Sequence, residues 1–237
     1  MTLPHRYAFG KTVELGHQGL RTADDWDVVR KADPAFGFTQ DRETWRLAAE
    51  SSAELGARAD AMSAVLRRWG ATRAVSVGVG TGMLEYLLLR RTPDLELRCG
   101  DFAEKSLQEL RSRFVECPSI ERMDLTDPEW CRDAAEVVIL NRVDTELSGD
   151  EWRSVFAKLH DRGSLRVIWI PAGLLTPAAL FREAQTMIVG MLRGMSVSQA
   201  GYLRNRAAMI DLFAPRYRIE GAIRAGGKPL WPLVRQA

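Results

Sequence analysis

The spacing of hydrophobic positions changes near residue 70, and the change predicts two kinds of structure. Upstream of this point, apolar side chains recur every three or four residues on one helical face: Trp45, Ala48, Leu55, Ala59, Met62, Leu66 and Trp69. Gly70 follows in the position of a helix cap. The first forty residues lack this period and are predicted to form a loosely structured arm with one short helix near residues 24–31.

Downstream of residue 70, short apolar runs alternate with amphipathic stretches. The predicted strands cover residues 73–77, 95–101, 120–124, 137–141 and 165–170, and the predicted helices cover residues 83–91, 104–114 and 148–160. Ser148 and Glu151 have the spacing of a capping box. The uninterrupted apolar run from Val137 to Leu140 is typical of a strand buried on both faces. The alternation therefore predicts an α/β fold with a mostly parallel sheet between two helical layers.

The remainder of the chain is predicted to complete the sheet and to cover it. Thr176-Pro177 begins a helix to about residue 193, and a second helix spans about residues 204–213. Residues 217–224 and 230–234 predict a β-hairpin joined by Gly226-Gly227. We expect a doubly wound, seven-stranded sheet that ends in this antiparallel hairpin. Three units are predicted, namely an arm and helix on the substrate side (1–69), a core (70–237) and a helical cap insertion within the core (172–203).

Composition and charge narrow the classes of protein. The chain has 33 basic and 31 acidic residues and a net charge of +2, so the balance does not demand a nucleic-acid or membrane partner. Its three cysteines form no CxxC pair, which predicts reduced thiols and no metal site. No apolar run reaches the ~20 residues that span a bilayer, and no signal-peptide pattern is present at the start. A cytoplasmic protein is expected.

Three alternating glycines follow the first predicted strand, in the segment Gly78-Val79-Gly80-Thr81-Gly82. Glycines permit a tight turn and let backbone N–H groups approach a ligand closely. Ligands of open α/β sheets bind at the carboxyl ends of the strands, where this loop is expected. The dinucleotide fingerprint requires glycine or alanine where this chain has Met83. A nicotinamide-dependent oxidoreductase is therefore the weaker interpretation.

This GxGxG loop resembles motif I of the class I S-adenosylmethionine-dependent methyltransferases, and the resemblance covers about residues 70–235. It implies that the loop contacts the methionine part of S-adenosylmethionine and that Asp101 accepts hydrogen bonds from the ribose. It also implies that Phe102 packs near the adenine, that Asp124 contacts the adenine amino group, and that Asn141 lies beside the departing methyl group. The implied cofactor-binding residues are Gly78, Val79, Gly80, Gly82, Asp101, Phe102, Asp124, Leu125 and Asn141.

Three of these polar residues also have a purely structural interpretation. Asp101 is compatible with a helix cap or a solvated loop acid, Asp124 with a turn, and Asn141 with a cap on the strand end. A non-catalytic scaffold or partner subunit that keeps the methyltransferase fold is therefore a second alternative.

The sequence indicates less about the methyl acceptor than about the cofactor. Residues 141–144 contain no proline, unlike the (D/N)PP(Y/F/W) segment of enzymes that methylate amino groups of nucleic-acid bases, and the Pro-Cys nucleophile of cytosine-C5 enzymes is missing. The resemblance implies methyl transfer to an O or N atom of a small-molecule acceptor, in specialised metabolism, by in-line displacement. Positioning supplies most of the acceleration of such a step, so no catalytic residue is assigned.

The acceptor site is expected between the N-terminal unit and the cap insertion. Five residues are candidates to line it: Tyr7, His17, Asp144, Glu146 and Tyr202. Of the other histidines, His160 is expected near the end of a surface helix and His5 has no assigned role. Met187, Met191 and Met195 recur at four-residue spacing, which fits either core packing or an apolar lid. No oligomeric state is predicted.

Overall fold

The computed structural model describes residues 41–131, 137–177 and 201–236, the strands near residues 7 and 12, and helical positions 179, 181 and 185. Its strands are β1 Tyr7–Ala8, β2 Thr12–Glu14, β3 Arg73–Val77, β4 Glu96–Asp101, β5 Ser119–Arg122, β6 Val137–Asn141, β7 Arg166–Ile170, β8 Tyr202–Arg204, β9 Tyr217–Ile219, β10 Ile223–Ala225 and β11 Lys228–Arg235. Its helices are α1 Arg42–Ser51, α2 Ala53–Trp69, α3 Met83–Arg91, α4 Glu104–Arg113, α5 Gly149–Asp161 and α6 Arg206–Asp211, and a 3₁₀ turn spans Pro128–Cys131.

The main sheet has the order β5-β4-β3-β6-β7-β11, and its first five strands are parallel. β11 runs antiparallel to β7, with Trp231 opposite Trp169. β9 and β10 pair with opposite ends of β11 and therefore share one place beyond it. The sheet thus has seven positions, which confirms the predicted α/β class and its antiparallel hairpin.

The two faces of the sheet bury different side chains. One face packs mainly aliphatic residues against α2 and α3, including Met62, Leu66 and Leu88. The other face is aromatic, and rings from β7, α5, β11 and the segment after α6 pack together: Trp152, Phe156, Trp169, Phe213, Tyr217 and Trp231. Because both faces of the sheet are covered, its central strands are apolar along their length, which explains the uninterrupted apolar run of β6 in the sequence.

The single helical stretch predicted before Gly70 is divided in two. The α1 helix ends at Ser51, and Ser52 adopts an extended conformation in which its hydroxyl accepts from the Leu55 N–H of α2. The break follows from the tendency of serine side chains to cap a new helix rather than continue an old one. Gly70 ends α2 in the left-handed conformation (φ 61°), as predicted.

Two further differences concern the small second sheet, in which β1, β2 and β8 pair antiparallel. The sequence predicted no strand before residue 40 and began a helix near residue 204. The structure instead pairs Val13 with Leu203, and α6 begins only at Arg206 after the Asn205 cap. The strands are too short for a period to be recognised, and each is stabilised by a distant partner rather than by a local pattern.

Candidate cofactor and acceptor site

The glycine loop, residues 78–82, leaves β3 at the carboxyl edge of the sheet and leads into α3. The N–H groups of Gly78 and Val79 both donate to the carbonyl of Gly100 on β4, at 2.8 and 3.2 Å. Its three glycines all have positive φ, at 74°, 54° and 69° for Gly78, Gly80 and Gly82. The loop therefore adopts a backbone that other residues rarely adopt, and it is fixed to the neighbouring strand.

The three glycines meet different surroundings. A Cβ atom on Gly78 would lie 2.2 Å from Cγ1 of Val143, and one on Gly82 would lie 2.5 Å from Cδ1 of Leu110. A Cβ atom on Gly80 would meet no atom of the described residues within 4 Å. Gly78 and Gly82 are therefore needed for close packing, whereas open space lies beside Gly80, where a ligand can approach the backbone.

Asp101 ends β4 beside this loop and is buried, with 3% of its surface exposed. Its Oδ2 accepts from the Gly80 N–H at 3.0 Å, and its Oδ1 accepts from the Ala103 N–H at 3.2 Å. Asp101 thus fixes the loop to the strand end. Its bond from Ala103 also supports the start of α4, and its carboxylate lies next to the open space at Gly80.

The other sequence-predicted residues follow the ends of adjacent strands. Phe102 follows β4 and is half-buried, and the Met123 N–H donates to the Asp101 carbonyl, which sets Asp124 and Leu125 beside that strand end. The exposed Asp124 lies two residues beyond β5, and its Oδ1 accepts from both the N–H and the hydroxyl of Thr126. The structure therefore gives Asp124 a turn-forming role, and its contact with adenine stays a prediction.

Asn141 ends β6, on the other side of β3 from Asp101. Its Oδ1 is shielded from solvent and, in the described part of the chain, has no hydrogen-bond donor. Arg142, the next residue, has a positive φ of 60°, which turns the chain sharply away from the strand. Sheet order thus brings the ends of β5, β4, β3 and β6 to one edge, as the sequence predicted.

The β6–α5 loop, residues 142–148, is held by β8. The buried Arg204 guanidinium donates to the carbonyls of Asp144 at 2.6 Å and Leu147 at 2.5 Å. The Tyr202 N–H donates to the carbonyl of Thr145 at 2.9 Å. The loop is therefore fastened by residues that lie far along the chain, and two of the acceptor-site candidates, Asp144 and Tyr202, take part in this fastening.

Three acids near this edge have raised pKa values. Burial raises the pKa of Asp144 to about 6, although the Ala172 N–H, which donates to its Oδ1, acts in the opposite direction. Burial raises the pKa of Glu146 to about 7, opposed by the Thr145 hydroxyl and reinforced by Asp144 and Asp101. Burial also raises the pKa of Glu85 to about 7, although the Ser76 hydroxyl donates to it at 2.8 Å. Of these, Glu85 lies in the core below the glycine loop.

Sequence reasoning missed three residues that position this site. Trp45 of α1 donates from Nε1 to the Thr81 carbonyl at 2.9 Å and so attaches the N-terminal helix to the glycine loop. Glu85 belongs to no recognised motif, and Arg204 was predicted to begin a helix rather than to lie in a strand. The amphipathic pattern signalled that Trp45 is buried, but no local signal identified what its indole N–H binds.

Several predicted features are not tested. His5, His17, Met187, Met191 and Met195 lie outside the described residues, as does most of the helix that Thr176 begins. The start of that helix is confirmed, since the Ala179 N–H donates to the Thr176 hydroxyl. His160 lies in α5 with its ring edge-on to Tyr217. All three cysteines are free and buried.

The described residues show neither a metal-binding group nor a membrane-spanning helix. They contain no group of three or more His, Cys, Asp or Glu side chains able to hold a metal ion. Among them there is also no helix of the length and apolar character that crossing a membrane requires.

Comparison with solved structures identifies the fold. Magnesium protoporphyrin IX methyltransferase (ChlM) from Synechocystis PCC 6803, with bound SAH, superimposes with a TM-score of 0.59 at 16% identity, over 91% of this chain and 95% of that one. Mitomycin 7-O-methyltransferase MmcR gives a TM-score of 0.61 at 21% identity over 89% of this chain. Human N-acetylserotonin methyltransferase (ASMT), in complex with SAM, gives 0.59 at 15% identity over 91% of this chain.

The chain therefore has the fold of the class I methyltransferases, as the resemblance implied. It spans 60% of MmcR and 57% of the human protein, so both contain substantial parts with no counterpart here. No protein-family model matches the chain, and no curated protein sequence matches it.

Proposed function

We propose that this protein binds S-adenosylmethionine at the glycine loop and transfers the methyl group to a small-molecule acceptor. The observation that carries the proposal is the open space at Gly80, next to the fixed carboxylate of Asp101. This space lies at the carboxyl edge of a methyltransferase-type sheet, where open α/β folds bind their ligands. The bound SAH of ChlM and the SAM of human ASMT support the choice of cofactor.

The residues at this edge fit an adenosyl cofactor. The glycine loop, Gly78, Val79, Gly80 and Gly82, is proposed to lie against the methionine moiety, because the open space beside Gly80 lets a ligand approach the backbone closely. The Asp101 carboxylate is the proposed acceptor for the ribose hydroxyls. Phe102, Asp124 and Leu125 are proposed to border the adenine, and Asn141 to lie beside the sulfonium.

When bound, the cofactor supplies a methyl group on a sulfonium, whose departure as a neutral thioether needs little help. What the chain contributes is positioning, because an in-line approach of the nucleophile accounts for much of the barrier reduction. The glycine loop and the β6–α5 loop are both hydrogen-bonded to other elements, so the two sides of the site are held before any ligand arrives.

The acceptor is proposed to bind between the N-terminal unit (1–69) and the insertion (172–203). The small sheet supports this, because β2 from the first unit pairs with β8 at the end of the second. The acceptor is proposed to be a small molecule of specialised metabolism with an O or N nucleophile, and the 7-O-methyl transfer for which MmcR is named supports an oxygen.

Two alternatives remain distinguishable. A nicotinamide-dependent oxidoreductase is disfavoured because β11 enters antiparallel beside β7, where the dinucleotide fold continues in parallel. A scaffold that retains the fold without turnover could keep cofactor binding or lose it. Because methyl transfer requires a bound cofactor, binding of the cofactor is measured first.

The test is calorimetric titration of the protein with S-adenosylmethionine, S-adenosylhomocysteine, NAD⁺ and NADPH. Asp101→Asn removes the charge at the proposed ribose position. Asp94→Asn is the matched control, because this exposed acid lies before β4, at the opposite end of the same strand. Thermal unfolding of each variant verifies that it is folded.

We expect micromolar binding of the two adenosyl ligands alone, weakened about tenfold or more by Asp101→Asn and unchanged by Asp94→Asn. A tenfold loss corresponds to about 1.4 kcal/mol, the size of one charge-assisted hydrogen bond. Binding of NAD⁺ or NADPH instead would establish the oxidoreductase alternative. A folded protein that binds none of the four ligands would exclude the proposed function.

A further inference from the structure

One carboxylate oxygen of Glu146 is buried without a hydrogen-bond donor. Its Oε1 accepts from the Thr145 hydroxyl at 3.0 Å. Its Oε2 is shielded from solvent, and no donor within the described ranges reaches it. A buried polar atom left unpaired costs about 1–3 kcal/mol, so an unpaired oxygen in a native fold calls for an explanation.

The position of Glu146 is next to the proposed cofactor site rather than in the core of the sheet. Its loop contacts the glycine loop, because Val143 fills the space that a side chain on Gly78 would need. The charge of Asp101, which accepts from the Gly80 N–H, contributes to the raised pKa of Glu146.

The loop cannot easily turn to give Oε2 an internal donor. The carbonyls of Asp144, Thr145 and Leu147 are engaged by Arg204 and Tyr202 of β8. The Glu146 N–H donates to the carbonyl of Val143 at 3.2 Å, which closes a turn. A fixed loop whose Glu146 Oε2 has no donor among the described residues is preorganised for a molecule that brings its own donor, and the same holds for Asn141 Oδ1 at the end of the preceding strand.

We propose that the Glu146 carboxylate faces the methyl group to be transferred and accepts the proton of the acceptor's O–H or N–H group. The proposal rests on the function proposed above. The nucleophilic oxygen or nitrogen forms a bond to the methyl carbon, while the carbon–sulfur bond breaks and its electron pair stays on sulfur. The proton moves from the nucleophile to Oε2 of Glu146 and then to water. The acceptor is therefore a hydroxyl or amino compound.

The groups around Glu146 suit proton transfer near neutral pH. Burial, Asp144 and Asp101 raise the pKa of Glu146, and the Thr145 hydroxyl lowers it. Arg204 faces the backbone of the same loop, and its charge acts mainly on Asp144. A base whose pKa lies near the working pH is both available in its charged form and strong enough to take a proton.

The test needs no knowledge of the acceptor. S-adenosylmethionine labelled with ¹³C in its methyl group is bound to the protein, and the methyl resonance is followed by NMR from pH 4.5 to 8.5. The variants are Glu146→Gln, which removes the titration, and Glu146→Asp, which keeps it at a greater distance. Glu85→Gln is the matched control, because Glu85 also has a pKa of about 7 and a shielded Oε2 without a donor among the described residues, but it lies in the core against Ser76 and not on the β6–α5 loop.

We expect the methyl resonance of the wild type and of Glu85→Gln to shift with one step centred near pH 7. That step should be lost in Glu146→Gln and reduced in amplitude in Glu146→Asp. A methyl resonance bound in all four proteins with the same pH dependence would overturn the assignment of Glu146 while leaving cofactor binding intact. Absence of any bound methyl resonance in folded wild-type protein would instead contradict the proposed function.

Discussion

The two loops that meet at the carboxyl edge of the sheet are held in opposite ways. The glycine loop is fixed by its own backbone and by the next strand, through the Gly100 carbonyl and Asp101. The β6–α5 loop is fixed by Arg204 and Tyr202, which lie far along the chain. The first arrangement leaves a glycine spacing that is visible in the sequence. The second leaves only an arginine and a tyrosine, in a segment far along the chain from the loop.

Because of this difference, the sequence says more about the proposed cofactor site at the glycine loop than about the proposed acceptor site at the β6–α5 loop. Backbone conformations that only glycine tolerates restrict residue type at defined positions, whereas a buried guanidinium can reach carbonyl groups from many places in the chain. Substitutions in the two loops should therefore differ in what they break, and four such tests follow in order of expected effect.

The largest effect is expected for Arg204→Met. This substitution keeps the apolar stem but leaves the carbonyls of Asp144 and Leu147 buried without their donor. A buried acceptor left without its donor costs about 1–3 kcal/mol, and two carbonyls are affected here, measured as the free energy of unfolding in denaturant. Arg206→Met, at an exposed position two residues later, is the control and should change stability by less than ~0.5 kcal/mol. Equal losses in both variants would mean that Arg204 does not fasten the loop.

The second effect depends on pH. The pKa of Glu85 is raised from 4.5 to about 7 in the fold, so the folded state binds the proton more tightly than the unfolded state. Stability from this group is complete below pH 4.5 and is lost as the pH rises to about 7, by on the order of 3 kcal/mol. Glu85→Gln should therefore match the wild type at pH 5 and exceed it by several degrees in Tm at pH 8. A constant difference across this range would show that Glu85 does not titrate on unfolding.

The third effect compares two glycines of one loop. Gly78→Ala and Gly80→Ala both place alanine at positive φ, but only the first also meets Val143. Gly78→Ala should therefore be less stable than Gly80→Ala by about 1–3 kcal/mol, the usual cost of overpacking. Affinity for S-adenosylhomocysteine should fall in Gly80→Ala with little loss of stability, because its new methyl group enters the open space. Retained affinity there would place the ligand elsewhere.

The smallest effect is expected for Thr145→Val, which keeps the shape of the side chain and removes its hydroxyl. The hydroxyl lowers the pKa of Glu146, so its loss should raise that pKa further. The labelled-methyl titration would detect this as a step displaced to higher pH. A step displaced to lower pH would mean that the hydroxyl does not stabilise the charged carboxylate.

Most of the sheet could be predicted because its strands are buried on both faces. The bounds of β3, β6 and α3 agree with the sequence prediction, and the α5 capping box is present with both of its hydrogen bonds. The errors fall where local pattern and long-range pairing compete. Ser52 divides the predicted helix by capping, and β8 exists because β2 pairs with it.

The site was predictable only where chemistry constrains the backbone. Asp101 and the glycines could be proposed as cofactor-binding residues from the sequence, because they follow predicted strands whose ends meet at one edge of the sheet. Glu146 was one of five acceptor candidates of equal standing, and only its unpaired oxygen in the structure sets it apart. Trp45 illustrates the limit: its period predicted a buried ring, but the Thr81 carbonyl that it binds is 36 positions away.

The pairing of β2 with β8 has a consequence for biosynthesis. Thr12–Glu14 leaves the ribosome long before its partner Tyr202–Arg204 is translated. Contacts between such distant segments form late, since the intervening chain must first be ordered. We expect a nascent chain to complete the parallel sheet while its N-terminal strands still lack a partner, so that the small sheet closes among the last steps of folding.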